Sequence, residues 1–231
     1  MDEIQLIPRE LREAGFPTAH FLSEEEQNTY QQSLKEFSGK AYDSLNIGRN
    51  GSSLWKVLWL NQIGIKTATL LKLELALEND LPLSGYYADS REVIVRSNGY
   101  SYPKNKYLAQ KLTHDLKLKT WDNPYIIKNL KIKQDEQSAY GLSFIVDNAE
   151  VIEAPDFHHN NHGRTFKRIN DDYTIAWDDA NKRTFYARDN GLSRVYVGGG
   201  SVVGSDDGRL DISGDCGRVV VVGNATGAQK N

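Results

Sequence analysis

Two rhythms of apolar and polar residues divide the chain near residue 120. Ahead of it, helical spacing dominates. Ser23 to Phe37, "SEEEQNTYQQSLKEF", places Tyr30, Leu34 and Phe37 on one face of a helix. Ser23 and Glu26 have the spacing of a capping box, and Glu24 and Glu25 suit the positive helix start. Leu54 to Asn79 is apolar-rich and reads less simply. "SLWKVLWLNQIG" suits either a buried strand or a short helix. "TATLLKLELALEN" favours a helix, although its alternation also permits a strand. "REVIVRSNGYSY" predicts a strand running into a turn at Asn98-Gly99. After Pro103, Lys104 to Leu116 predicts a helix with Tyr107, Leu108, Leu112 and Leu116 inward, opened by a proline in a tolerated position.

From about Trp121 the runs shorten and become β-prone: "PYIIKNLKIK", "YGLSFIVDNAEVIE", "FKRI", "YTIAW", "RTFYAR", "LSRVYV" and "GRVVVVG". Asn, Asp and Gly turns such as Asp171-Asp172 and Asn190-Gly191 separate them. A mixed first half and a strand-rich second half predict an α+β chain. No internal repeat and no long linker divides residues 1–231, so one domain is expected.

The chain has 231 residues, a formal net charge of −3, 39% apolar and 10% aromatic residues, the profile of a globular protein with a real core. The charge balance provides no electrostatic footprint for nucleic acid. Cys216 is the single cysteine, which excludes an intrachain disulfide and a thiolate zinc cluster. "MDEIQLIPRELREAGF" is charged throughout, unlike a secretory leader, and "LWKVLWL" is far too short to span a bilayer. Synthesis in the cytoplasm is expected. Work outside a cell would then need another exit, for example as part of a virus particle.

The stretch from Val195 to Val222, "VYVGGGSVVGSDDGRLDISGDCGRVVVV", sets loose Gly/Ser/Asp composition between two strand-forming pieces. Gly198, Gly200 and Gly204 follow a strand as a dinucleotide turn would. However, "SDDGRLDISGD" is no helix and no lysine follows Gly204, so neither a dinucleotide turn nor a P-loop is met. A plain glycine connector is one alternative. Against it, the valine run must be paired or buried, so the segment before it is anchored at both ends. Irregular segments held on a rigid scaffold are where binding residues concentrate.

Arg183 to Ala228 contains no Lys, Glu, Gln, Met or Trp. Those are the five residues that codons ending in a pyrimidine cannot encode. Randomised adenines in repeated Asn codons would leave this depletion and add Gly, Ser, Val and Asp. "GLSRVYV" leading to "LDIS" and "GRVVVVG", about residues 191–223, resembles the variable region of diversity-generating retroelement proteins. That resemblance implies a C-type lectin fold, with a mixed or antiparallel sheet and two helices. It also implies that a reverse transcriptase mutates adenine positions whose side chains the fold displays. Known members are phage receptor-binding, archaeal-virus and surface proteins. The long N-terminal half departs from simple members. The displayed, diversified positions expected here are Gly198, Gly199, Gly200, Val202, Gly204, Asp206, Gly208, Arg209, Ile212, Gly214 and Cys216, with Arg209 and Ile212 the best anchors. Leu210, Ser213, Val203 and Ser205 would point inward.

The competing chemistry lies in "DFHHNNHGR". Asp156, His158, His159 and His162 include an i, i+4 histidine pair suited to a metal ion, and a metal-dependent hydrolase or nuclease is the alternative function. Pro155, Asn160, Asn161 and Gly163 favour a loop there, and no Glu completes an HExxH pattern. The Asp171-Asp172, Asp178-Asp179 and Asp206-Asp207 pairs suit turns better than calcium, because adjacent aspartates diverge. Trp55, Trp59, Trp121 and Trp177 suit a core or an interface better than a sugar-stacking platform. The expectation is therefore a non-enzymatic binding protein with no cofactor. Its partner would be a protein or carbohydrate ligand on a target cell surface, and its place a virion or another exposed surface.

Overall fold

A computed structural model describes residues 18–79, 81–97, 99, 102–119, 122–199, 201–212 and 214–223. Five α-helices lie among them: α1 (Glu24–Ser33), α2 (Gly39–Leu45), α3 (Leu54–Gln62), α4 (Leu70–Glu78) and α5 (Lys106–Asp115). This corrects the two helices that the resemblance implies. The α1 capping box is formed: Glu26 N–H donates to Ser23 Oγ at 3.2 Å, and Ser23 N–H donates to the Glu26 carboxylate at 2.8 Å. Helix α3 shows why its segment is ambiguous in sequence. Leu54 to Leu60 are buried on every side, so no polar face marks a period. Helix α1 ends at Ser33, short of the expected Phe37, and a 3-10 turn at Leu34–Glu36 follows; "SGK" comes after it, and its Gly39 opens α2.

Twelve strands follow in chain order, β1 (Thr18–Phe21), β2 (Tyr87–Val95), β3 (Tyr125–Lys128), β4 (Lys131–Gln134), β5 (Leu142–Ile145), β6 (Glu150–Glu153), β7 (Thr165–Ile169), β8 (Ile175–Trp177), β9 (Arg183–Ala187), β10 (Leu192–Gly198), β11 (Val202–Ser205) and β12 (Val220–Gly223). Eight form one mixed sheet in the order β6-β3-β2-β10-β11-β9-β7-β8. Only the β11–β9 pair is parallel. The break between β3 and β4 is Asn129, at φ 58°, a left-handed position that asparagine tolerates.

The middle of this sheet, β3, β2, β10 and β11, is buried on both faces. Val93, Val95, Ile127 and Leu192 enter one apolar core with α1, α2, α3 and α5. Ala88, Ile94, Ile126, Val195, Val197, Val203 and Phe185 enter a second core with α4. The near-continuous apolar reading of "VIV" in β2 follows from this two-sided burial.

The valine run is clamped between the same cores. Val219 and Val221 belong to the first, Val220 and Val222 to the second. Strand β12 pairs antiparallel with β1 on one side. On the other, Ala68 N–H donates to Val220 O at 2.9 Å and Val222 N–H to Lys66 O at 2.7 Å. Full burial of each valine is worth about 1.5–3 kcal/mol.

One cation is buried in the first core. Lys56 is 0% exposed, and its ammonium donates to Gln27 Oε1 at 3.0 Å, Gly48 O at 2.8 Å and Arg49 O at 3.3 Å. Burial pulls its pKa down to about 7. Above that value the folded chain releases a proton that the unfolded chain still holds, so stability rises with pH until the ordinary lysine range is reached. The guanidinium midpoint of the wild type should climb from about pH 7 to about pH 9 and stay level in Lys56→Met. A level wild-type profile would mean that the three oxygens keep the ammonium charged.

Candidate ligand-binding surface

The glycine run is not one irregular loop. Val202–Ser205 is β11, an interior strand held by β10 on one side and β9 on the other. The sequence missed it because its residues are small and flanked by glycines, whereas its neighbours supply the pairing. Two expected display positions are corrected by this. Gly204 is buried beneath Tyr196, its cross-strand partner: a Cβ there would lie 2.1 Å from the tyrosine Cζ. Gly208 is buried beneath Arg188, and a Cβ there would lie 2.1 Å from Nη1 and 2.8 Å from Tyr102 Cβ. Glycine lets each neighbouring side chain lie flat on the backbone.

The other positions divide by exposure. Gly199, Arg209, Gly214 and Cys216 are exposed, while Gly198, Val202, Asp206 and Ile212 are half-buried. Gly199 sits in the hairpin turn at φ 59°, where any side chain would be strained. Gly200 lies outside the described residues, as does Ser213. Leu210, Val203 and Ser205 point inward, each 0% exposed.

Two of the display positions, Asp206 and Arg209, share a concavity with residues the sequence did not single out. Tyr102, Arg188, Tyr196, Asp206, Asp207 and Arg209 line an open polar depression of about 390 Å³. Its floor is built from charge. Arg194, 4% exposed on β10, forms ion pairs with Asp89 of β2 and with Asp207, the latter at 3.1 Å. The Arg194 guanidinium also lies 5.1 Å from the Tyr87 ring centre and 4.9 Å from that of Tyr196. A β-bulge between Arg194 and Tyr196 interrupts the register with β2 at this point.

The environment of each ionisable group follows from these contacts. The two carboxylates outweigh burial and hold Arg194 more firmly charged than an ordinary arginine. Burial pushes the Asp89 carboxyl up, opposed by Arg194 and by the Ser52 hydroxyl, which donates to Oδ2 at 2.8 Å. Asp207 is also partly buried, but the Arg209 backbone N–H at 2.9 Å and Arg194 bring it below the usual carboxylate range. Burial, then the neighbouring Asp206, pushes the Tyr196 phenol up, so its hydroxyl stays protonated and donates to Asp206 at 3.1 Å.

Behind this floor Arg96 joins four elements. Its guanidinium donates to Phe157 O, Ser193 Oγ, Ser205 O and Ser205 Oγ, which lashes β11 to β2, β10 and the turn after Pro155. Burial pulls it down to about 9, which still leaves it charged at neutral pH.

The histidine-rich stretch is folded for other ends. The Asp156 carboxylate accepts Ile175 N–H at 2.7 Å and Trp177 Nε1–H at 3.2 Å. His158 Nδ1 accepts Asn160 N–H at 3.2 Å, and His162 Nδ1 lies 3.2 Å from Ala187 N and 2.9 Å from Ala187 O. His158 and His159 stack 4.2 Å apart. No group of three His, Cys, Asp or Glu side chains among the described residues converges as metal ligands would. The aspartate pairs build turns: Asp172 Oδ1 accepts Thr174 N–H, and Asp178 Oδ1 accepts Ala180 N–H. Trp55 and Trp59 are core residues, and Trp121 lies outside the described residues.

The chain matches no family model, no curated protein and no solved structure. The reading of the site therefore rests on its own geometry. Sequence could not bring Arg188, Tyr102 and Tyr196 together. Tyr102 lies 86 residues ahead of Arg188, and no spacing rule links them. No helix among the described residues is long and apolar enough to cross a membrane.

Proposed function

We propose that this protein binds a ligand through the surface formed by the depression and the exposed residues beside it, and that the segment after β10 is diversified on a C-type-lectin-like scaffold. The observation that carries the reading is the sharp division of burial within that segment. Leu192 to Val195, Val203, Ser205, Leu210 and Val219 to Val222 are buried, whereas Gly199, Ser201, Arg209 and Gly214 to Cys216 are exposed. Residues that hold the fold and residues that face a partner are thus separate sets. The pairing of β1 with β12, which brings the two ends of the described fold side by side, supports the lectin-like reading. The missing Lys, Glu, Gln, Met and Trp across the same stretch supports diversification. A virion or another exposed surface is the setting that such a protein suits.

The metal-enzyme alternative loses its support, because Asp156, His158 and His162 already serve the local turn and the sheet edge. Two measurements test the proposal. The encoding locus should hold a second copy of the segment for residues 191–222 that differs where the copy has adenine, with a reverse transcriptase gene nearby. A locus with neither removes the diversification claim. Separately, substitutions at Arg209, Gly214 and Cys216 should change stability by no more than about 0.5 kcal/mol, whereas Gly204→Val and Gly208→Val should cost about 1–3 kcal/mol. Equal costs at both sets would remove the division on which the reading stands.

A further inference from the structure

Inside the depression, one cation stands apart. Arg194 has Asp89 and Asp207 as partners for its two Nη atoms, although its Nε is also buried without a hydrogen-bond partner among the described residues. Arg209 donates its backbone N–H and Nε–H to Asp207, and half of its side chain remains exposed. Asp206 accepts the Tyr196 hydroxyl. Arg188 has no such arrangement. Its Nη1 is withdrawn from solvent, and no hydrogen-bond partner meets it among the described residues. Gly208 is the space it occupies, since a Cβ there would overlap Nη1.

A buried, unsatisfied guanidinium nitrogen costs folding free energy, about 1–3 kcal/mol for a neutral donor and more for a charged one. Such groups are rare in native proteins, and each calls for an explanation such as a water, an ion or a functional role. Arg188 also lines the depression. Its planar fork matches a carboxylate in two parallel hydrogen bonds, and the Arg96 charge behind it disfavours a second cation. Of the two aspartates of the depression, Asp207 is shared by two arginines, while Asp206 keeps its charge as it accepts the Tyr196 hydroxyl.

Resting on the binding-surface reading above, we propose that Arg188 is the fixed anchor of this site and that it takes a carboxylate side chain, Asp or Glu, of a protein partner. The anchor sits ahead of β10, outside the expected diversified positions. Changes in the variable segment would then alter the surroundings of a constant charge–charge contact. A protein partner fits the surroundings best. Tyr102, Tyr196 and Arg209 in the depression, with the Tyr86–Arg218 stack at 3.7 Å on the neighbouring surface, have the Tyr and Arg composition of protein interfaces. A depression of about 390 Å³ accepts one inserted side chain with its flanking backbone.

A random peptide library displayed on phage, panned on the full chain, tests this. The selected peptides should protect the depression in hydrogen exchange and share an Asp or Glu at one position. A synthetic consensus peptide should bind at least tenfold more weakly after Glu→Gln in the peptide, and equally so with Arg188→Gln in the protein. The melting temperature of Arg188→Gln should be unchanged or raised, which a structural arginine would not allow. A fall of several degrees overturns the proposal. Peptides that protect the depression yet bind Arg188→Gln as tightly as wild type overturn the anchor and leave the binding surface standing. If no peptide protects the depression, the anchor and the surface reading fall together. If a sialylated glycan protects it in place of peptides, the protein partner is wrong while the surface stands.

Discussion

Arg96→Leu should lower the unfolding free energy by about 3–5 kcal/mol, read as a fall in the guanidinium midpoint. Arg96 is 5% exposed, and its three guanidinium nitrogens donate to four acceptors on three separate segments. Hydrogen bonds from a charged donor are worth about 1.5–3 kcal/mol each before the desolvation of the arginine is subtracted. Leucine fills part of the volume but leaves the carbonyl of Phe157, a residue that is 0% exposed, without that donor. Ser205 keeps other bonds, because Ser193 Oγ–H still reaches its carbonyl at 2.8 Å and its own hydroxyl reaches Tyr186 O at 3.2 Å. The loss should therefore concentrate at the join between β11 and the turn after Pro155. Arg96→Lys should recover part of it, since an ammonium supplies three donors but not the planar fork. A change below about 1 kcal/mol would show that the cluster breaks even against desolvation.

Asp89→Ala is the second large effect expected, at about 3–5 kcal/mol. Asp89 is 1% exposed and stands between Arg194 and Ser52. Its removal leaves Arg194 buried with Asp207 alone. Joining both neighbours by replacing Arg194 as well should restore part of the stability, because the cost lies in the uncompensated charge more than in the pair. A double variant that is as unstable as the sum of the single ones would show no coupling. Asp89→Ala should also disturb the depression, since Arg194 carries the Tyr196 ring that lines it. Loss of ligand binding in a variant that remains folded would report that coupling between the buried pair and the surface.

Arg96 and Asp89 show how the site is supported. Both are charged residues in a strand or at its end, in "YADSREVIVRS", where alternation alone places every second residue on one face. Seven residues apart, they fall on opposite faces by alternation, so a half-buried strand would leave only one of them to solvent. The structure buries both faces of β2, so every polar residue on it needs a partner from another segment. Those partners lie 37 to 109 residues away: Ser52, Phe157, Ser193, Arg194 and Ser205. Contacts at that separation leave no local pattern.

What sequence determined by itself is the set of features with local causes. The capping box of α1, the helix after Pro103, the short strands of the second half and the buried valine run each follow from residues within one or two turns of one another. Hydrogen-bond reach and side-chain period are short-range, so they are legible in the chain. What only the tertiary structure decided is which strand has two covered faces and which glycine faces a partner. β11 exists because β9 and β10 flank it, and Gly204 and Gly208 are glycines because Tyr196 and Arg188 lie over them. Whether a residue is displayed or covered depends on what arrives above it from elsewhere in the chain, and burial is a property of that arrival.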